Sequence, residues 1–292
     1  MSQHPILRFA PSPNGFLHLG HAYSALFTWD MAKRLRGETL LRIEDIDLMR
    51  CKPEFGAAIV EDLHWLGLTW PEPVLRQSRR FPAYGEAAER LRARGLIYPC
   101  FCSRREIAAA ASGTDPDGAP LYPGTCRGMA AEDVERRIAA GEPVQWRLDM
   151  ARAIAAAGPL RVTEFNREGG FNSREAEPAL WGDAVLVRKD TPTSYHLAVV
   201  VDDAFQGVTH VTRGMDLYRA TDLHVVLQAL LELPSPAYCH HELVRDEGAE
   251  KLSKSKGAPS LRRLREEGVT AEEVRQKVFG GLVMERGGHR EV

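Results

Sequence analysis

The sequence predicts an α/β fold, a doubly wound parallel sheet with an insertion and a short helical tail. Apolar runs of strand length alternate with segments of helical periodicity over residues 6–97. The alternation stops at a loop-rich stretch, 112–128, which is dense in Gly, Pro, Ser, Thr and Asp, and it resumes near residue 184. The predicted units are the two halves of the α/β domain (1–97 and 179–247), the insertion (98–178) and a lysine-containing loop with the tail (248–292).

The first predicted elements are a strand, a turn and a helix. Ile6–Ala10 is a short apolar run with one arginine, which is typical of a buried strand. The Pro, Asn and Gly residues of 11–15 end it in a turn. From His18 onward, apolar residues recur at spacings of three and four, so a helix begins there.

A second strand, Thr39–Ile43, ends in a cluster of acidic residues. Glu44, Asp45 and Asp47 follow it directly. In open parallel sheets this carboxyl end of a strand is the edge where ligands bind. Two helices, one from Pro53 and one over 81–94, complete the predicted first half.

The second half repeats the alternation. We predict a helix through residues 223–230 and four strands, over 184–188, 195–201, 208–212 and 238–244. The strand at 195–201 is expected to end in Asp202 and Asp203. Two short helices follow in the tail, and Thr270 with Glu273 has the spacing of a capping box.

Composition and charge exclude several classes of protein. A formal net charge of -2 excludes nucleic-acid binding by bulk positive charge but leaves room for a local basic groove. The first residues show no secretory signal, and no apolar stretch approaches the ~18 residues of a membrane span. Five cysteines, three of them between Cys100 and Cys126, favour a reduced cytoplasmic protein with a local metal site.

His18 and His21 lie three residues apart at the predicted helix start, so they share one helix face. Gly20 between them removes a side chain where a ligand must approach the backbone. A helix N-terminus with two such donors can hold the phosphates of ATP. The alternative is a pair of surface or metal-binding histidines, which the preceding strand and Pro/Gly turn disfavour.

Lys251-Leu-Ser-Lys-Ser255 follows the last predicted strand. Such a loop is usually only a solvated surface segment. Its functional interpretation is a mobile cationic flap whose lysine neutralises charge on the departing pyrophosphate. The parallel sheet is expected to place this loop opposite the histidine pair.

Cys100, Cys102 and Cys126 supply three thiolates for a metal. Structural zinc is usually tetrahedral, so a fourth ligand is needed. No histidine occurs between His64 and His196, and the candidates within the insertion are Asp115, Asp117 and Tyr122. The alternative is three reduced cysteines in a poorly packed loop.

These motifs resemble those of the class I aminoacyl-tRNA synthetases, whose two signatures are written HIGH and KMSKS. Residues 8–15, 42–47 and 195–203 resemble the glutamyl branch, and the similarity covers most of 6–256. The resemblance implies a Rossmann-like fold, Mg²⁺ entering with ATP, and catalysis by His18, His21 and Lys254. It also implies that the ATP site comprises these three residues with Gly20 and Lys251.

The resemblance further implies a site for L-glutamate. Two carboxylates and an ammonium group need opposite charges when they leave water. Arg8 and Arg213 are the expected carboxylate partners, and Glu44 the partner of the ammonium group. The remaining expected contacts are Phe9, Ala10, Pro11, Ser12 and Tyr195. The alternative is that arginines at strand ends pair with neighbouring acids.

The same resemblance selects a fourth ligand for the cysteine cluster. Tyr122-Pro-Gly-Thr-Cys126 matches the Tyr-x-x-x-Cys half of the family's zinc site. One structural Zn²⁺ held by Cys100, Cys102, Tyr122 and Cys126 is therefore expected. A phenolate ligand requires that the metal lower the pKa of the tyrosine.

The short tail and Val199 indicate a particular acceptor. Only 37 residues follow Ser255, whereas full-length glutamyl enzymes continue with a helical domain that reads the anticodon, and they often carry asparagine where Val199 stands. The chain thus resembles the short paralogues of the branch, which activate glutamate without tRNA. They then attach glutamate to queuosine in the anticodon of tRNA(Asp), and we expect a monomer. The alternatives are a truncated enzyme charging a tRNA 3′ end and a catalytically silent, zinc-stabilised RNA-binding module.

Overall fold

The computed structural model describes residues 4–244 and 259–281, which contain strands in three sheets with helices packed against them. The first half of the chain forms a parallel sheet in the order β1-β2-β3, in which Ile6 lies opposite Glu38 and Phe9 opposite Leu41. Its elements are β1 (Ile6–Phe9), α1 (Leu19–Leu35), β2 (Glu38–Ile43), α2 (Pro53–Trp65), β3 (Leu75–Arg76) and α3 (Phe81–Ala93). The strands, the turn and the helix start predicted for this half are confirmed.

An antiparallel sheet of three strands, in the order β4-β5-β8, forms the base of the part of the chain that contains Cys100, Cys102 and Cys126, here called the antiparallel lobe. Its elements are β4 (Ile97–Cys100), α4 (Arg104–Ala110), α5 (Ala131–Ala139), β5 (Gln145–Leu148) and β8 (Val185–Val187). The strand predicted at 184–188 is thus present. It completes this antiparallel sheet, however, and does not join the parallel one.

A second group of parallel strands continues the first sheet. The order is β7-β6-β10-β9, with β6, β10 and β9 parallel and β7 antiparallel. Its elements are α6 (Met150–Ala157), β6 (Arg161–Phe165), β7 (Phe171–Glu175), β9 (His210–Gly214), α8 (Ala220–Leu230) and β10 (Ala237–His241). The hairpin β6–β7 lies inside the range 98–178 that the sequence assigns to the insertion.

The two parallel groups meet at the start of β1. The amide of Thr209, just before β9, donates to the carbonyl oxygen of Ile6 (2.9 Å), and the Ile6 amide donates to Thr209 Oγ1 (2.8 Å). Strands β1 and β9 therefore begin side by side, and Phe9 and Gly214 end them at the same edge. This edge is where an open parallel sheet binds its ligands.

The strand predicted at 195–201 is wrong. These residues begin helix α7 (Tyr195–Phe205), which Ser194 caps by accepting from the amide of Leu197 (3.5 Å). Four consecutive residues, 197–200, are buried and apolar, so this stretch of the helix has no polar face and looks like a buried strand. As a result Asp202 and Asp203 lie in the last turns of a helix, not after a strand.

The described tail packs beside the start of α1. It comprises α9 (Leu261–Glu266), α10 (Ala271–Gln276) and a π-helical turn, Lys277–Gly281. The Leu261 amide donates to the carbonyl oxygen of Leu17 (2.7 Å), and Ser260 forms a β-bridge with His18. The predicted capping box of Thr270 and Glu273 is confirmed. The loop Lys251–Ser255 lies outside the described residues.

No helix in the described ranges combines the length and the apolarity that crossing a membrane requires.

One buried carboxylate ties α7 to α3. Asp202 is inaccessible to solvent and accepts from Gln77 Nε2 (2.9 Å), Arg80 Nε (2.6 Å) and the Tyr84 hydroxyl (2.7 Å). Three donors on one side of the contact thus converge on a single acceptor. Such a site is stable only while its charges remain paired.

We expect Asp202→Ala to lower the free energy of unfolding by about 3 kcal/mol or more, because it leaves the Arg80 guanidinium without its buried partner. Denaturant unfolding measures this change. The control is Glu89→Ala, which removes an exposed partner of Arg92 and should leave the midpoint unchanged. Equal stability of Asp202→Ala and the wild type would contradict a structural role for this network.

Candidate active site

One cavity of about 750 Å³ opens at the carboxyl ends of β1 and β9. It gathers residues from β1 and the turn after it, the first turn of α1, the end of β2, the start of α7 and the end of β9. The predicted residues on its wall are Arg8, Phe9, Ala10, Pro11, Ser12, His18, Gly20, His21, Glu44, Tyr195 and Arg213. The sequence analysis did not single out Asn14, Leu217, His241 and Val244, which also line it.

His18 and His21 form a reciprocal cap at the start of α1. His18 Nδ1 accepts from the amide of Gly20 (3.1 Å), and His21 Nδ1 accepts from the amide of His18 (3.2 Å). Their ring centroids are 3.9 Å apart. A ring nitrogen that accepts a hydrogen bond carries no proton, so each imidazole bears a proton on Nε2 as a donor. This arrangement can place donors and a helix N-terminus around a phosphate.

Gly20 lies tightly against the first histidine. A Cβ atom built there would lie 3.0 Å from His18 Cε1, which is closer than normal packing allows. A side chain at position 20 would therefore require the capping ring of His18 to shift by a few tenths of an ångström. The sequence analysis expected a close approach to the backbone at this position, and the crowding by His18 is a further reason for glycine.

Four charged side chains at the end of β1 and β2 form a closed network. Asp203 Oδ1 accepts from Arg8 Nε (3.0 Å) and Arg42 Nη1 (2.7 Å), and Glu44 Oε1 accepts from Arg42 Nη2 (3.0 Å). All four are largely buried. Burial raises the pKa of Glu44, although Arg42 opposes this shift. Two guanidinium groups thus face two carboxylates. The sequence analysis gave pairing with a neighbouring acid as the alternative to substrate binding for Arg8, and Arg8 does form such a pair.

Arg213 has a different set of partners. It is 4% exposed and donates to His240 Nε2 (3.3 Å), His224 Nδ1 (3.1 Å) and Thr221 Oγ1. Within residues 4–244 and 259–281, no carboxylate lies within ion-pair distance of it. A buried guanidinium is stable in ionised form when its hydrogen bonds are satisfied, but here its charge has no counterion within the described protein.

Tyr195 and Ser12 complete the polar lining at this end of the cavity. Tyr195 is the first residue of α7, and burial raises the pKa of its hydroxyl, so it remains a neutral donor and acceptor at neutral pH. Ser12 Oγ lies 3.7 Å from the sulfur of Cys51. The cavity therefore offers a cation, an anion and neutral hydroxyl groups within one space.

The three cysteines of the antiparallel lobe converge on one point. The sulfur atoms of Cys100, Cys102 and Cys126 all lie within 4.8 Å of one another, with Cys102 and Cys126 at 3.6 Å. A tetrahedral zinc with Zn–S bonds of about 2.3 Å separates its sulfur ligands by about 3.8 Å, so this spacing fits such an ion. The Tyr122 hydroxyl lies 3.7 Å from the Cys102 sulfur, while Arg147 lies 4.0 Å above the Tyr122 ring. These residues can hold a metal ion.

Comparison with known proteins gives close matches over nearly the whole chain. A family model for class I tRNA synthetases (E and Q), catalytic domain, matches residues 6–286. A glutamyl-Q tRNA(Asp) synthetase of Rhodobacter capsulatus is 46% identical, with 94% of this chain aligned to 99% of that protein. One from Symbiobacterium thermophilum is 40% identical over 91% of this chain and 83% of its own length.

Longer proteins match as well. A glutamate–tRNA ligase of Aquifex aeolicus is 37% identical, and this chain spans 54% of its length. The crystal structure of a glutamate tRNA ligase from Elizabethkingia meningosepticum, in complex with its amino acid, superposes with a TM-score of 0.71 at 28% identity. The superposition covers 88% of this chain and 54% of that one. A methionyl-tRNA synthetase of Mycobacterium tuberculosis, 14% identical with a TM-score of 0.54, shares the fold. The chain therefore belongs to the class I tRNA synthetases of the E and Q type, a family of ligases.

Proposed function

We propose that this protein activates L-glutamate with ATP and then transfers the glutamate to queuosine in the anticodon of tRNA(Asp). The observation that carries the first half of the proposal is Arg213. Its buried charge faces the cavity without a protein counterion in the described ranges. A substrate carboxylate would supply that counterion through a charge-assisted hydrogen bond.

The other charges of the cavity suit the remaining groups of glutamate. Glu44 uses one carboxylate oxygen toward Arg42, and the substrate's ammonium group would bind the same carboxylate. Arg8, Ser12 and Tyr195 would contact the second carboxylate and the backbone of the amino acid. Phe9, Ala10 and Pro11 form the adjoining wall. Glutamine would lack the charge that Arg213 requires.

Activation would proceed by displacement at the α-phosphorus of ATP. A carboxylate oxygen of glutamate attacks phosphorus, the bond to the β-phosphate oxygen breaks, and pyrophosphate leaves with the electron pair. His18 and His21 would donate from Nε2 to the phosphates, and Gly20 would let them approach the helix start. Mg²⁺ entering with ATP would neutralise phosphate charge.

Lys251 and Lys254 complete the proposed ATP site. They lie outside the described residues, which end at Val244 and resume at residue 259. Val244 lines the cavity, and Ser260 forms a β-bridge with His18. These two described residues, one on each side of the lysines in sequence, thus lie at the cavity wall and beside the histidine pair, which supports the proposed role of the lysines at the departing pyrophosphate.

The names of the relatives support the acceptor half of the proposal. The R. capsulatus protein, which matches almost end to end, is named for glutamyl-Q tRNA(Asp). A hydroxyl of queuosine would attack the activated carbonyl carbon, and AMP would leave. The enzyme would work in the cytoplasm as a monomer, and its five free cysteines agree with a reducing compartment.

We also propose that Cys100, Cys102, Cys126 and Tyr122 hold one structural Zn²⁺. The ion would join β4 to the loop of residues 122–126 and take no part in the chemistry. The convergence of three thiol groups and a phenol supports this assignment.

Glutamate-dependent exchange of pyrophosphate into ATP, measured without tRNA, tests activation. We expect exchange with glutamate and none with glutamine. Glutamylation of tRNA(Asp) with and without queuosine then tests the acceptor, and only the queuosine form should be charged. Exchange that requires tRNA, or charging of tRNA(Glu) at its 3′ end, would contradict the proposal. Absence of exchange under all conditions would favour a silent RNA-binding module.

Arg213→Gln should lower kcat/KM for glutamate in the exchange assay by about 30-fold or more, because a charge-assisted contact to a carboxylate is worth about 2 kcal/mol or more. The KM for ATP should change little. The matched control is Arg161→Gln on the exposed face of β6, which should behave as the wild type. An unchanged KM for glutamate in Arg213→Gln would show that the carboxylate binds elsewhere.

Cys102→Ser should lower the zinc content and the melting temperature together, because metal binding contributes to folding. Atomic absorption and thermal unfolding measure the two quantities. Cys239→Ser is the control, since this buried cysteine of β10 lies outside the cluster and its loss should leave the zinc content unchanged. Full metal retention in Cys102→Ser would rule out the proposed ligand set.

A further inference from the structure

Two histidines contact Arg213 where buried arginines usually have carboxylates, and a third histidine contacts one of these two. His224 lies on α8 and is 2% exposed, and its Nδ1 faces Arg213 Nη1 at 3.1 Å. His224 Nε2 in turn lies 3.2 Å from Nδ1 of His196 on α7. On the other side, His240 Nε2 of β10 lies 3.3 Å from Arg213 Nε and 3.1 Å from Thr221 Oγ1.

The protonation of these rings follows from the arginine. A guanidinium group has only donors, so His224 Nδ1 and His240 Nε2 must both accept. An imidazolium ion has no acceptor, and both rings are therefore neutral. His224 then carries its proton on Nε2, from which it donates to His196 Nδ1. Burial and the nearby Arg213 lower the pKa of His224 and, to about 2, that of His240, which agrees with this assignment.

The donors of Arg213 are only partly used by these contacts. Of its five N–H groups, three are directed at His240, His224 and Thr221. One N–H remains on each terminal nitrogen, and Arg213 lines the cavity. All three partners are neutral, so they satisfy hydrogen bonds and fix the guanidinium plane without cancelling its charge.

Arg8, on the same cavity, provides an internal comparison. It is as buried as Arg213, at 5% against 4%, but it forms an ion pair with Asp203. A carboxylate at position 224 would do the same to Arg213. It would take up a donor and supply the counterion from within the protein.

We propose that His224 is a specificity-determining and positioning residue, which holds Arg213 through a neutral acceptor and so reserves its positive charge for the carboxylate of the substrate. His240 acts in the same way at Nε. The identity of that substrate as glutamate rests on the proposed function. The role of His224 is indirect, because it acts through Arg213.

The isosteric pair His224→Asn and His224→Asp separates charge from shape. Both side chains place an oxygen near the position of Nδ1, both leave the same space, and both lose the contact to His196. They differ only in charge. His224→Asn should keep the KM for glutamate within a few-fold of the wild type, whereas His224→Asp should raise it about 30-fold or more, with the KM for ATP unchanged in both.

A second readout does not depend on glutamate. If Arg213 lacks a counterion, His224→Asp should melt at a higher temperature than His224→Asn without any ligand. Equal KM values and equal melting temperatures for the two variants would overturn the inference, as would an Asn variant that is folded but as impaired as the Asp variant. If the wild type shows no glutamate-dependent exchange, the proposed function fails, and the melting temperatures still decide whether the charge of Arg213 is uncompensated.

Should neither variant fold, the pair His240→Gln and His240→Glu applies the same test at Nε of Arg213. The longer side chains place an oxygen near the position of Nε2 of His240. His240→Glu should show the higher melting temperature and the higher KM for glutamate. An equal result for both variants would overturn the inference at this position also.

Discussion

The pairing of buried charge at one edge of the sheet is the constraint on which the architecture depends. Arg8 lies in β1 and Arg42 in the neighbouring strand β2, and both donate to Asp203 on α7. Asp202, the preceding residue, turns to the other side and binds Arg80 near the start of α3. Because an unpaired buried charge is costly, α7 must lie where both carboxylates meet their partners. Two adjacent aspartates thereby fix one helix between two parts of the chain.

Local sequence patterns predicted the elements whose ends are marked by the residues next to them. The strand at Ile6, the Pro/Gly turn and the helix start at His18 are set by neighbouring residues, and the structure places them within a residue or two of the predicted bounds. The start of α7 is marked only by its capping residue, Ser194. Its residues 197–200 are buried on every side, so neither a period of two nor one of 3.6 is visible, and β-branched valines favoured the strand.

The partners within the candidate site could not be predicted from local patterns, because they are distant in the chain. Arg8 and Asp203 are separated by 195 residues. The sequence offered two interpretations for arginines at strand ends, either ligand binding or pairing with a nearby acid. Arg8 has the acid, whereas Arg213 has none among the described residues, yet both arginines lie in or directly after a predicted strand. His224 and His240 carry no motif that would connect them with Arg213, and only the packing of α8 against β9 and β10 brings them together.

Burial alone therefore does not distinguish an arginine whose charge is neutralised within the protein from one whose charge is not. Arg8 and Arg213 have nearly equal exposure, and both have their hydrogen bonds partly satisfied within the protein. The difference lies in whether the acceptors are ionised. A carboxylate partner neutralises the charge of the arginine within the protein, so that Arg8 stabilises the fold and can offer a ligand only its remaining N–H groups. Neutral imidazole and hydroxyl partners orient the guanidinium equally well but leave its charge in a region of low dielectric, where an arriving anion gains most. The same fold thus neutralises the charge of Arg8 through helix α7 and leaves that of Arg213 without a partner among the described residues, which is the property on which the proposed binding of an acidic substrate depends.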